Sequence, residues 1–136
     1  MTIADVVAMR STCPRASVGC VLVGAHNRLL ATGYNGSPPN HPHCEDVGCF
    51  MSVHGHCLRT IHAEANALLQ LRGEEVPLFA FCTHEPCFEC TKMLYSAGTR
   101  RIYYKYPYLT PVTEQIVRDL FPELIKAQWD ENLFSV

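Results

Sequence analysis

Residues 60–69, TIHAEANALL, read as the start of a helix rich in Ala and Leu, with a histidine and a glutamate two apart at its head. Mid-helix, side chains at i and i+2 diverge by roughly 200° and cannot serve one site. If the helix begins at His62, its unwound first turn lets His62 and Glu64 both reach forward. A second motif, Pro86-Cys87-Phe88-Glu89-Cys90, follows the apolar run 78–83 and opens another helix, with Gly98 just past its end. Cys87 and Cys90, three apart, lie on one face and can grip one ion. The chain must therefore fold so that two helix heads meet.

What they would form together is a metal site. The helix dipole and a metal ion both favour thiolate at Cys87 and Cys90. Zinc takes about four ligands, and a catalytic site keeps one position for water. His62 is suited to be the third protein ligand. Glu64 then stands close to the water without occupying the metal, where a general acid/base belongs. Alone, His62 reads as a structural histidine, Glu64 as a solvated charge and the cysteine pair as a thioredoxin-like redox motif; their conjunction favours zinc, because H-x-E with P-C-x-x-C is the zinc deaminase signature.

The rest of the chain is consistent with one α/β domain over residues 1–136. Hydrophobic residues make up 48% and charged residues 18%, which points to a globular fold. The formal charge of −2 argues against a broad nucleic-acid-binding face. No basic leader or membrane-length apolar run is evident, so a cytoplasmic chain is expected, with eight cysteines serving as ligands, catalysts or core rather than disulfides. Residues 3–11 predict a short helix. Residues 18–23 and 28–34 predict a hairpin turning at Ala25-His26-Asn27, and a helix follows from His62 to about Arg72. Strands are expected over 78–83 and 100–106, and helices over 85–98, 112–120 and 122–129. This alternation implies a layered domain with a mixed sheet.

The segments CPRASVGCVLV, ATGYNGSPP, GHCLRTIHAEANALL and EPCFECTKMLYSAGTRRIYY together resemble the deoxycytidylate (dCMP) deaminases, particularly of bacterial and phage type, over about residues 4–108. GYNGSP and Asn66 mark the dCMP branch within the wider cytidine deaminase superfamily. The resemblance implies a three-layer α/β/α fold around a five-stranded sheet. It implies conversion of dCMP to dUMP and ammonia for dTMP synthesis, with Glu64 moving protons between water, ring and leaving amine, and backbone near Pro86 helping to hold water and amine. Asn35 would contact the deoxyribose, with Arg15, Lys105 and His56 as candidates for the 5′-phosphate and Tyr104 bordering the base. It also implies a homo-hexamer activated by dCTP and inhibited by dTTP. Tyr103, Tyr106 and Tyr108 fit either a subunit interface or a core. Phe88 and Glu89 depart from the usual residues between the cysteines, so a 5-substituted dCMP, dCTP or another base stays open as substrate, as does a non-catalytic zinc module.

The loop at about 36–58 is long for a compact domain and rich in Cys and His. Cys20 and Cys82 fall in apolar strands as small hydrophobes. Cys13, Cys44, Cys49 and Cys57 are then enough for a closed second zinc site, in which His56 or His43 could replace one thiol. Some dCMP deaminases are similar in tying this loop down with a second zinc.

Overall fold

The computed structural model describes residues 1–133. Its centre is one five-stranded sheet made of β1 (Gly19–Val23), β2 (Leu29–Tyr34), β3 (Phe79–His84), β4 (Arg101–Tyr106) and β5 (Ile125–Gln128), in the order β2-β1-β3-β4-β5. β1 pairs antiparallel with β2 and with β3, while β3, β4 and β5 run parallel. Five helices accompany it: α1 (Thr2–Ala8), α2 (Cys44–Val47), α3 (Ala63–Leu69), α4 (Phe88–Ser96) and α5 (Pro111–Leu120).

Strand alternation decides which helix covers which face. Cys20 is paired with Gly33 and with Cys82, and Leu22 with Ala31 and Ala80, so these residues share one face. With Ala63, Ala67, Leu94 and Ile102 they form the principal core under α3 and α4. Val21, Phe81 and Tyr103 point the other way, where the rings of Phe81 and Tyr103 stack at 5.2 Å and Trp129 meets both edge-on. α1 lies on that second face, since a Cβ at Gly19 would strike the Ala4 carbonyl and the Ala8 amide. Opposed glycines thus seat α1 and α3 on opposite sides of the expected three-layer arrangement.

The structure departs from expectation in two elements. Residues 122–129 are not helical; Ile125–Gln128 form β5, because β4 offers an unpaired edge whose backbone groups outweigh the helix propensity of Lys126, Ala127 and Gln128. α3 stops at Leu69, before Arg72, and Gly73 sits in the following loop with φ 76°. The hairpin is as expected, a 3₁₀ turn over Ala25–Asn27 joining its strands. The Cys-rich loop is not wholly irregular, for it contains α2, ended by Gly48 at φ 82°.

α3 rests directly on β2 because Gly33 has no side chain: a Cβ there would overlap the Ala63 carbonyl and the Ala67 amide. Gly33→Ala is therefore expected to cost about 2–3 kcal/mol by overpacking and to lower the zinc content of the purified protein. Thermal denaturation and metal analysis of the variant check both.

Candidate active site

Both motifs meet as the sequence requires, and for one local reason. His62 is the N-cap of α3 with extended backbone (φ −67°, ψ 152°), and Cys87 is the N-cap of α4 in the same conformation (φ −62°, ψ 168°). Neither side chain is bound to the helical register, whereas Glu64 and Cys90 sit within the first turns. His62 Nδ1 stands 3.5 Å from Cys87 Sγ and 3.4 Å from Cys90 Sγ. Ligands at zinc bond lengths and a tetrahedral angle lie ~3.6 Å apart for an N–S pair, so the donor set fits zinc. A redox dithiol has no need of an imidazole equidistant from both sulfurs.

The electrostatics point the same way. The Cys90 thiol beside Cys87, together with His62 and the Cys90 amide at 3.4 Å, holds Cys87 down to about 4 against the effect of burial. Contact with Cys87 in turn raises His62. Glu64 is only 4% exposed, and burial pushes its carboxyl above the usual range even though His62 opposes that shift.

His62, Glu64 and Cys87 line one open pocket whose walls come from distant parts of the chain, with Cys90 buried behind it. Arg15, Asn35 and His56 are brought to it as expected. The Asn35 amide donates to the Ala16 carbonyl and accepts from the Val18 amide, each at 2.8 Å, which leaves one N–H and one lone pair for a ligand. Asn66 does not line the pocket; it donates to the Tyr34 carbonyl at 2.8 Å and ties α3 to the end of β2.

Lys105 and Tyr104 are not at the pocket. Pleating turns Lys105 to the α1 face, where Nζ binds Asp5 at 2.6 Å. Tyr104 is 8% exposed beneath α5, with Lys126 Nζ 5.8 Å from its ring. Glu89 turns away as well, pairing with Lys92 at 2.7 Å on the exposed side of α4. The aromatic residue at the pocket is Tyr108, whose hydroxyl meets His56 Nδ1 at 3.1 Å.

Cys13, Cys44, Cys49 and Cys57 form a second cluster, all four sulfurs lying within 4.8 Å of one another. The Cys13–Cys49 separation is 3.7 Å and the Cys44–Cys57 separation 3.6 Å, too long for disulfides and close to the ~3.8 Å between two thiolates on tetrahedral zinc. His43 and His56 are outside this cluster. His43 is the exposed N-cap of α2, and His56 faces Tyr108. Burial works to raise Cys57, but the Arg59, Phe50 and Thr60 amides and the Cys44 thiol bring it down to about 6; burial pushes Cys44 up to about 12.

A parallel-stranded mixed sheet with a His-Cys-Cys site and a buried glutamate at two adjacent helix heads is the architecture of the zinc-dependent deaminases. Residues 1–106 match the family model for the cytidine and deoxycytidylate deaminase zinc-binding region, and the chain belongs to that family. It is similar to ComE operon protein 2 of Bacillus subtilis, 40% identical over 140 residues spanning all of this chain and 73% of that protein. The deoxycytidylate deaminase of Schizosaccharomyces pombe is 38% identical over 117 residues, 79% of this chain but 36% of the yeast protein. The dCMP deaminase of cyanophage S-TIM5, solved in complex with dCMP and dUMP, superposes with a TM-score of 0.76 at 28% identity, covering 94% of this chain and 92% of that one.

Sequence reasoning passed over Glu85, which lines the pocket and is 4% exposed. Its carboxylate accepts from Lys126 Nζ at 2.6 Å and from the Tyr108 and Leu109 amides at 2.9 Å each, and so fixes the loop that carries Tyr108. A carboxylate directly after an apolar strand and before Pro86 was the available signal. Burial works against its charge, but Lys126 and the two amides outweigh this and lower its pKa. That contribution to stability is complete above the ordinary carboxyl value of 4.5 and is lost as pH falls through the lower folded value. Lys126→Met strands the Glu85 charge and is expected to cost about 3–5 kcal/mol at neutral pH, a deficit that shrinks in acid; urea unfolding at pH 7 and below pH 4 measures it.

Proposed function

We propose that this chain hydrolyses dCMP to dUMP and ammonia, a reading carried by the convergence of the His62, Cys87 and Cys90 ligand set with the buried carboxylate of Glu64 at one pocket, lined by His62, Glu64 and Cys87. His62, Cys87 and Cys90 would hold zinc, whose Lewis acidity would lower the pKa of a water molecule toward neutrality. Glu64 would take one proton of that water and deliver it to N3 of the ring as the oxygen adds at C4, and would then carry the remaining proton of the new C4 hydroxyl to the amine, so that the C4–N bond breaks, C4=O forms and ammonia leaves. Its burial excludes competing solvent and keeps the carboxyl ready to hold a proton. Asn35, with one N–H and one lone pair unspent, would contact the deoxyribose, and Arg15 and His56, which line the same pocket, would receive the 5′-phosphate.

The finer elements of the reading rest on other features. A second zinc bound by Cys13, Cys44, Cys49 and Cys57 is supported by four sulfurs within 4.8 Å of one another, two pairs of them at 3.7 and 3.6 Å. A homo-hexamer is supported by two exposed apolar stripes, Ile3, Val6 and Met9 beside α1 and Val112, Ile116 and Leu120 on α5. Activation by dCTP, inhibition by dTTP and supply of dTMP synthesis are what the resemblance of segments such as GYNGSP, 33–38, to dCMP deaminases implies. A cytoplasmic setting agrees with eight free thiols. No described helix is long and apolar enough to cross a membrane.

Glu64→Gln is expected to keep its zinc and to lose about 10²–10⁴ in turnover, read as ammonia release from dCMP with CMP, deoxycytidine, dCTP and 5-methyl-dCMP as comparison substrates. Full activity in that variant would remove Glu64 as the base. Native mass spectrometry should count two zinc ions per chain, falling to one when Cys44 is replaced by Ser.

A further inference from the structure

The four-thiol cluster is not remote from the pocket: Cys13 and Cys57 belong to its wall, and so do Arg15, two residues after Cys13, and His56, one residue before Cys57. The segment carrying His56 has little else to hold it. Its backbone hydrogen bonds close on themselves, Leu58 N to Phe50 O at 2.7 Å, Ser52 N to His56 O at 2.8 Å and Gly55 N to Ser52 O at 3.0 Å. Its apolar side chains are not buried; Phe50 is 62% exposed, Val53 97% and Leu58 61%. This small hairpin is tied to the body of the domain by the thiol cluster, through Cys13, and by the hydrogen bond between the Tyr108 hydroxyl and His56 Nδ1, while Arg59 donates to the Gly48 carbonyl within the same loop. Arg15 is on a similarly exposed turn, pinned on one side by Cys13 and on the other by the hydrogen bonds of Ala16 and Val18 to Asn35.

Resting on the nucleotide reading above, we infer that the Cys13-Cys44-Cys49-Cys57 cluster is a positioning device for phosphate recognition. By drawing the 13–15 turn and the 50–58 hairpin together, it sets the Arg15 guanidinium and His56 Nε2 at the pocket mouth to receive one phosphomonoester. Nδ1 of His56 is engaged by the Tyr108 hydroxyl, so Nε2 is the nitrogen presented to a ligand. His62, Glu64, Cys87 and Cys90 lie at the heads of α3 and α4, and none of them belongs to the cluster. Metal occupancy at the second site therefore governs affinity for a nucleotide and leaves recognition of the corresponding nucleoside unchanged.

The experiment compares wild type with Cys49→Ser in the full chain, reading zinc per chain, calorimetric affinity for dUMP and for deoxyuridine, and hydrogen exchange over 50–58. Cys49→Ser should lose one zinc, bind dUMP at least about tenfold more weakly, bind deoxyuridine as wild type does, and lose amide protection in 50–58 but not in α3. Cys49→His, which keeps a ligand, should restore both metal and dUMP affinity. Arg15→Gln and His56→Gln should retain two zinc ions and show the same selective loss for dUMP; they carry the test if the cysteine variant does not fold. Undiminished dUMP binding by the one-zinc protein, an equal loss for dUMP and deoxyuridine, or undiminished dUMP binding in both Arg15→Gln and His56→Gln would overturn the inference. A wild-type protein with two zinc ions that neither binds dUMP nor deaminates dCMP would instead overturn the nucleotide reading itself.

Discussion

The site exists because two helices begin at the same place, and one of them can begin there only because Gly33 has no side chain. α3 lies with its backbone on β2, and its small residues Ala63 and Ala67 face Cys20, Leu22 and Ala31. α4 closes the same face through Leu94. With the helices seated this closely, their N-caps His62 and Cys87 come within ligand distance of one another, and the extended backbone of each cap turns the side chain toward its neighbour. The geometry of the metal site is thus set by backbone packing, which suits a centre whose ligands must be held firmly.

Around that rigid centre the pocket wall is assembled from less regular parts, each fastened by polar contacts. Glu85 at the end of β3 gathers the amides of Tyr108 and Leu109 and is neutralised by Lys126 from β5. An edge strand on the far side of β4 is thereby linked to the pocket. On the opposite wall the Asn35 amide spans to Ala16 and Val18, and the thiol cluster gathers the turn and hairpin that carry Arg15 and His56. His62, Glu64, Cys87 and Cys90 are held by packed helices; the wall bearing Arg15 and His56 is held by hydrogen bonds and sulfur. The second kind of support is the easier to loosen, since little apolar surface is buried behind it.

What could be foreseen from the residues follows from locality. His62, Glu64, Cys87 and Cys90 were legible because each motif carries its own helix-start chemistry, and because two thiols at i and i+3 share a face in any helix. The second cluster was legible by subtraction: once Cys20 and Cys82 were placed in strands, four thiols stayed unassigned. Lys105 was misplaced because strand parity turns it to the α1 face, and Tyr104, although on the face of α3 and α4, because it lies beneath α5. The helix expected over 122–129 became a strand because an unpaired β4 edge lay beside it, and no local pattern announces such an edge.

The sequence by itself determined the chemistry: which atoms can hold zinc, which carboxylate can move protons, and that an α/β sheet with a leading hairpin must present them. These depend on residue type and short spacing, which survive without knowledge of the fold. Only the tertiary structure decided that Tyr108 and Glu85 belong to the pocket, that Lys105 does not, and that the four-thiol cluster stands behind the wall bearing Arg15 and His56. Those relations join residues far apart in the chain, and they arise from sheet order, pleat direction and close backbone approach, none of which has a local signature.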